Sequence, residues 1–169
     1  MEVVEFGELT DEHRADLEGD EVDPFDVTGV SLRFRAKDRH VALREDDGRL
    51  AASAGLVLAE VEVAGERFPV VGLGGVIVSA ERRGRGLARR IVGEALVRAR
   101  TMGPGFAVLF CHADRLGLYE RLGFAELGSP VSVQQADGYE VIALRTMEHA
   151  LTPEASWPVG PATLHGLPF

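Results

Sequence analysis

Two stretches of the chain carry side chains whose type and spacing suit chemistry. The first is "ERRGRGLARR", Glu81 to Arg90, with five arginines and two glycines in ten residues of a chain whose formal net charge is −9. It follows an apolar strand-like run, Val76, Ile77 and Val78, and opens a segment of helical periodicity. The N–H groups at a helix start have no intrahelical partner and carry about half a positive charge from the helix dipole. Glycines at that point let the backbone come close to an anion and adopt conformations closed to other residues. The combination is an anion site suited to phosphate. The spacing is neither G-x-x-x-x-G-K-[ST] nor G-x-G-x-x-G, since no lysine follows and Arg89 occupies the place of the third glycine. Both common nucleotide loops are excluded, and a pyrophosphate of another kind is left. The second stretch, "HADRLGLYERLGF" from His112 to Phe124, presents a phenol, Tyr119, on a short helical segment closed by Gly123.

The elements that must hold these two stretches read as follows. "VVEF" is a short first strand, and Thr10 caps a surface helix with Asp11 and Glu12 in its first turn. "DPFDVTGVSLRFRAKD" is ambiguous, a second helix or a loop broken by Pro24 and Gly29. "HVALRED", "RLAASAGLVLAEVEVAG" and "RFPVVGLGGVIVS" form an antiparallel meander turning at Asp47–Gly48 and near Gly65. Gly72, Gly74 and Gly75 suit a bulge or a close backbone approach, or else a bend that only curves the sheet. From Arg83 the period turns helical, with Leu87, Ala88, Ile91, Val92, Ala95, Leu96 and Ala99 on one face until "MGPG" stops it. "FAVLFC" is a strand covered on both faces, and two further strands flank the Asp137–Gly138 turn. The sum is an α+β domain with a mixed, mostly antiparallel sheet of six to seven strands flanked by helices. It spans residues 1–147. The tail from Glu148 to Phe169 contains four prolines but also Trp157, Leu164, Leu167 and Phe169, so it packs back on the domain.

Composition narrows the classes further. The 169 residues, 46% of them hydrophobic, fit one domain with a sizeable core. No apolar run reaches the roughly 20 residues of a membrane span, and the start lacks the pattern of a secretory signal. A single cysteine, Cys111, permits no internal disulfide, which suits a reducing cytoplasm. The histidines lack zinc-ligand spacing, so no metal is expected. Seventeen arginines accompany one lysine, Lys37, a bias of the kind a bacterial genome rich in G and C imposes. Residues 1–27 hold eleven acidic side chains against Arg14, which is either a solvated surface or an acidic rim that attracts a cationic substrate. An acidic chain without aromatics among its clustered arginines excludes nucleic acid as partner.

Set side by side, the two stretches resemble a known family. "RGRGLA", Arg83 to Ala88, is similar to the R/Q-x-x-G-x-G/A motif of the GNAT superfamily of N-acetyltransferases. His112 to Phe124 is similar to that superfamily's second signature, N-x-x-A-x-x-F-Y-x-x-x-G-F, with Tyr119, Gly123 and Phe124 in register. Three positions depart from it: His112 for asparagine, Arg115 for alanine and Leu118 for phenylalanine. The element order agrees from Val3 to about Thr146. A weaker resemblance, in "LYERLGFAELGSPVSV" and a tail with tryptophan and an aromatic end, is to aminoglycoside 2'-N-acetyltransferases.

The resemblance implies acetyl-CoA as donor, with its pyrophosphate on the amides of Arg83, Gly84, Arg85, Gly86, Leu87 and Ala88. It implies that the backbone of Val76, Ile77 and Val78 pairs with the pantetheine arm, that His112 contacts that arm or caps the following helix, and that Tyr119 assists departure of the thiolate. The implied acceptor is the primary amine of a small, cationic molecule, attacked directly in a ternary complex. "GLGG" supplies none of the acidic bases that many members carry on this strand, so Glu60, Glu62, Asp26 or the carboxylate of Phe169 is expected to act through water. The tail walls the acceptor site, or else covers a sheet edge or a homodimer interface. The competing function is a non-catalytic acyl-CoA-binding regulatory domain.

Overall fold

The computed structural model describes residues 1–169. In chain order the elements are β1 (Glu2–Phe6), α1 (Asp11–Glu18), β2 (Arg39–Arg44), β3 (Leu50–Val63), β4 (Glu66–Val78), α2 (Leu87–Ala99), β5 (Phe106–Cys111), α3 (Leu116–Glu120), β6 (Ala125–Glu126), β7 (Val131–Gln135), β8 (Gly138–Val141), β9 (Arg145–Ala150) and β10 (Ala162–Leu164). The α+β class expected from the sequence holds. The strands number ten rather than six or seven, because β6, β9 and β10 were not legible as separate strands.

Local chemistry sets each boundary. Thr10 Oγ1 accepts from the His13 amide while His13 Nδ1 accepts from the Thr10 amide, a reciprocal cap that starts α1. Glycines at positive φ carry the turns, Gly48 (φ 91°) between β2 and β3 and Gly65 (φ 81°) between β3 and β4. Residues 19–38 form neither helix nor strand but an irregular strap between α1 and β2, so the loop alternative is the observed one. The second helical segment is shorter than its sequence suggested. A 3₁₀ turn over Ala113–Arg115 precedes five α-helical residues.

Sheet order is β6-β9-β5-β4-β3, after which the 14-residue β3 bridges two partners along one edge. Its first half pairs with β2, from Leu50–Arg44 to Leu56–Arg39, and β1 lies beyond. Its last three residues pair with β10, which in turn runs parallel to β7. The tail is therefore a sheet strand, not only a cover. Trp157 fixes it edge-on against Phe68 and Phe106, with ring centroids 5.3 and 5.1 Å apart.

The apolar face read for α2 is the one that packs. Leu87, Ile91, Val92, Ala95, Leu96 and Ala99 are all buried against β2, β3, β4 and β5, while Ala88 is half-buried. A second apolar cluster on the sheet joins Val57, Val108, Val133, Leu164 and Phe169. At ~25 cal/mol per Å² of apolar surface, burial of each large aliphatic side chain contributes about 1.5–3 kcal/mol.

Phe169 ends in a groove cut by glycine. A Cβ at Gly72 would lie 2.6 Å from the Phe169 ring and 2.6 Å from Val57, and one at Gly74 would lie 2.6 Å from the Phe169 backbone. The close backbone approach expected of these glycines is thus realised. Gly72→Ala is expected to cost about 1–3 kcal/mol, the usual penalty of overpacking. The check is a lower urea midpoint at unchanged denaturant slope.

Candidate functional site

The parallel strands β4 and β5 pair at only two positions, Val71–Ala107 and Gly72–Val108. Beyond them the strands part. Between Ser53–Ile77 and Gly55–Gly74 the β3–β4 register shifts by one, placing an extra residue on β4, and Gly75 there adopts φ 58°. This bulge turns the end of β4 away from β5. The β5-facing edge of Val76, Ile77 and Val78 is left without a strand partner. A cleft of about 1060 Å³ opens where the strands diverge.

At one end of the cleft stands the start of α2. Gly84 and Gly86 take φ 76° and 75°, a left-handed backbone that strains any other residue. The first bond of α2 is from the Arg90 amide to Gly86 O, so the amides of Leu87, Ala88 and Arg89 have no helical acceptor. The five arginines divide by role. Arg82 is nearly buried and bound to Glu45 and Glu81, which makes it a strut. Arg83 reaches Glu21 at 2.6 Å and donates to Val78 O. Arg90 donates to Met1 O, while Arg85 and Arg89 are exposed.

The opposite wall comes from β5 and α3. Tyr119 lines the cleft yet is 8% exposed, packed edge-on against Phe124. Burial, with the nearby Cys111, pushes its phenol up to about 12. Burial likewise pushes the Cys111 thiol to about 11. Both remain protonated at neutral pH. His112 caps nothing with its side chain. Its Nε2 instead meets Asp26 O at 2.6 Å, tying the 19–38 strap to the end of β5 across the cleft. Of the four carboxylates considered as bases, Asp26 and Phe169 belong to residues that line the cleft. Glu60 and Glu62 do not. They pair with Arg67 and His165 on the far half of β3.

Eight of the eleven acids near the start of the chain are ion-paired or line the cleft, and Glu21 does both. Glu2, Glu5, Asp16 and Glu21 are ion-paired with arginines. Glu8, Glu18, Asp23 and Asp26 line the cleft together with Arg14 and Lys37.

Two residues of the floor were missed from sequence. His40 on β2 lines the cleft, and its Nδ1 is buried without a partner. Burial, together with the charges of Lys37 and Arg14, lowers its pKa and holds it neutral. Lys37, just before β2, is lowered by burial and by Arg35. Their signal is a register, His40 opposite Gly55 and Gly55 opposite Gly74, which puts three residues of three strands in one row. That row is invisible until the strands are paired.

With this geometry in hand, comparison with known proteins gives a family. Residues 21–127 match the family described as "Acetyltransferase (GNAT) domain". The chain belongs to that family. It is similar to glucosamine 6-phosphate N-acetyltransferase 1 of Oryza sativa subsp. japonica, 37% identical over 90 residues, 52% of this chain and 54% of that one. The match thus spans about half the length of this relative. The fold is similar to that of a GNAT-family N-acetyltransferase of Escherichia coli solved with CoA, at TM-score 0.61 and 20% identity, over 98% of this chain and 94% of the other. It is also similar to a GNAT-family acetyltransferase of Brucella melitensis solved with acetyl-CoA, at TM-score 0.57 and 20% identity, over 95% and 94%. No helix of this GNAT chain is long and apolar enough to cross a membrane.

The half-buried histidines of this GNAT domain set a pH dependence. His40 and His149 both have pKa values lowered by burial. In the unfolded chain imidazoles titrate near ~6.5, so between that pH and the lower folded values the unfolded state binds more protons. Stability is therefore expected to fall as pH drops through about 6.5, where the unfolded imidazoles begin to protonate. A lower urea midpoint at pH 5.5 than at pH 7.5 checks this, and the drop should shrink in His40→Gln.

Proposed function

We propose that the chain is an acetyl-CoA-dependent N-acetyltransferase that moves an acetyl group to the primary amine of a small acceptor by direct attack in a ternary complex. The observation that carries this reading is the continuity of the cleft. Free amides at Leu87–Arg89, an edge at Val76–Val78 with no strand partner and a protonated phenol at Tyr119 all line it.

The residues fit acetyl-CoA. Its pyrophosphate suits the amides from Gly84 to Ala88, the Arg83 amide being bonded to Ala80 O, while Arg85 and Arg89 add positive charge and Gly84 and Gly86 supply the left-handed turn. An extended amide-bearing arm suits the open edge of Val76, Ile77 and Val78, as an added strand would. The bound cofactor supplies an activated acetyl thioester. Arg83 would exchange its Glu21 partner for phosphate, and His112 stands beside the arm's path, held by Asp26.

Tyr119 acts as a hydrogen-bond donor to sulfur as charge develops there. A phenol near 12 opposite a thiol near 8.5 makes complete proton transfer uphill by roughly 4–5 kcal/mol, so donation rather than transfer is its role. His40 takes the amine's proton. It lines the cleft as a neutral imidazole, the state a base requires. The acidic rim of Glu8, Glu18, Asp23 and Asp26 favours a cationic acceptor. Phe169 and Phe110, with ring centroids 5.2 Å apart, supply apolar wall to the same cleft.

Free-thiol release from acetyl-CoA with a panel of polyamines, aminoglycosides, glucosamine 6-phosphate and peptides tests the reading. Tight acetyl-CoA binding without turnover of any amine would identify a non-catalytic acyl-CoA-binding domain instead. Two variants probe its parts. Gly86→Val, folded by circular dichroism, should weaken acetyl-CoA binding at least about tenfold, or 1.4 kcal/mol, by calorimetry. Tyr119→Phe should lower kcat about 10²-fold at unchanged cofactor affinity. Wild-type turnover with chemistry rate-limiting would remove Tyr119 from the mechanism.

A further inference from the structure

We propose that Lys37 is itself an acetyl acceptor, its ε-amine taking the acetyl group from acetyl-CoA held in the same cleft. The proposal rests on the acetyl-CoA reading above.

Lys37 is the only lysine in a chain with seventeen arginines. A guanidinium keeps its proton at any physiological pH and is no nucleophile there, so apart from the α-amine of Met1 this is the chain's one acylable amine. Its position is unusual for a residue type that normally sits in water. The stem crosses the two glycines paired on neighbouring strands, Gly55 of β3 and Gly74 of β4. A Cβ at Gly55 would come within 2.2 Å of Lys37 Cγ, and one at Gly74 within 2.9 Å of Lys37 Cε. Only glycine at both positions leaves this channel open. The stem ends over Gly74 and Gly75, the bulge at which β4 leaves β5. That is the inner end of the open Val76–Val78 edge, about three residues or ~10 Å from Val78, and so the point at which an extended arm laid along the edge delivers its terminal group.

The amine is short of partners. Nζ donates one hydrogen bond, to Arg35 O at 3.2 Å, and it forms no ion pair with any carboxylate side chain. Of the charged and titratable groups that face it, Arg35 and His40 are basic, Arg35 being committed to Asp38 and to Leu58 O, while the carboxyl end of Phe169 lies over the same Gly74 as Lys37 Cε. Burial, and after it the Arg35 charge, lower the pKa of the amine and favour its nucleophilic form. Its stem follows a glycine-lined path into the cleft.

The step balances without a further reagent. Lys37 loses one proton to His40 or to water. The lone pair on Nζ forms the bond to the acetyl carbonyl carbon, and the C–S bond breaks with its electron pair on sulfur, which accepts a hydrogen bond from Tyr119. A proton equivalent to the one released ends on sulfur. The products are Nε-acetyl-lysine and the free thiol. The amide is uncharged and bulkier than the amine, so it fills the space that an external acceptor needs, and modification limits turnover of other amines.

The full chain is incubated with acetyl-CoA alone, then examined by intact mass and by peptide mapping that separates Lys37 from Met1. The expected result is one acetyl group on Lys37, absent in Lys37→Arg and slowed at least about tenfold in Tyr119→Phe. With 13C-labelled lysine the chain gives a single ε-carbon resonance, which should shift on adding CoA, a readout that needs no turnover. Binding of acetyl-CoA by calorimetry with Lys37 unmodified would overturn the proposal and leave the acetyl-CoA reading intact. Equal labelling of Lys37 in urea-unfolded chain would overturn it as ordinary chemical acetylation. Failure to bind acetyl-CoA at all would bring down both.

Discussion

The structure turns on a parallel pairing that stops after two residues. β4 and β5 are joined at Val71–Ala107 and Gly72–Val108, and no further ladder holds them together. A strand edge at mid-sheet with no partner would ordinarily be closed, because unpaired backbone groups cost free energy when water is kept from them. Here the Gly75 bulge prevents closure, while β3 on one side and β9 on the other hold each strand in place. The opening is therefore rigid rather than frayed. α2, packed beneath β2, β3 and β4, fixes the amides of its first turn at the mouth of the opening. The anion site and the open edge are consequences of one topological constraint.

The strap of residues 19–38 shows how a segment without regular structure is nonetheless placed. Besides Leu32 and the Lys37 stem, which pack inward, its contacts are polar and dispersed: Glu21 to Arg83, Asp26 O to His112, and the Arg33 amide to the Gln135 side chain. The Arg35 amide meets Pro168 O, which links the strap to the tail. Asp26 holds φ 54°, uncommon for a residue with a side chain, at the point where it meets His112. Exposed ion pairs of this sort contribute little each, about 0.2–1 kcal/mol. The strap is thus anchored at several weak points over the cleft, an arrangement that permits local exchange of partners without disturbing the sheet.

What the sequence made legible follows from how local each signal is. The reciprocal roles of Gly84 and Gly86, the stripe from Leu87 to Ala99, and the apolar run of β5 depend on neighbours within a few residues. Each is where it was read. The bulge was half-legible, since three glycines in "GLGG" announced an irregularity but not which one bends. β10 was missed because three residues among prolines carry no period, and its place in the sheet comes from pairing with β3 and β7 more than twenty residues away. β9 was merged into the tail because Glu148 and His149 break its apolar pattern. Both side chains are half-buried, each with a polar atom left unpartnered. Glu60 and Glu62 drew attention as acids on a central strand. The length of β3 carries them past the cleft to the half that pairs with β10.

The same reasoning explains why the floor of the cleft escaped a reading by motif. Motifs report residues that act through backbone or through fixed offsets along one helix. His40, Gly55 and Gly74 act through cross-strand register, and Lys37 acts through a stem that needs two glycines on two other strands. Of the four, Gly74 alone stood out in its own segment, as one of the glycines of "GLGG". A glycine in a central strand normally costs stability, because it adds backbone entropy to the unfolded chain and packs nothing. At Gly55 and Gly74 that cost leaves a channel for the lysine stem, and at Gly72 it leaves a slot for the Phe169 ring. The chain thus tolerates weak strand formers along the row that carries its cleft, and the residues filling the gaps come from the strap and the tail. The cleft is completed by segments with little regular structure of their own, to which β3 and β4 give a surface to meet.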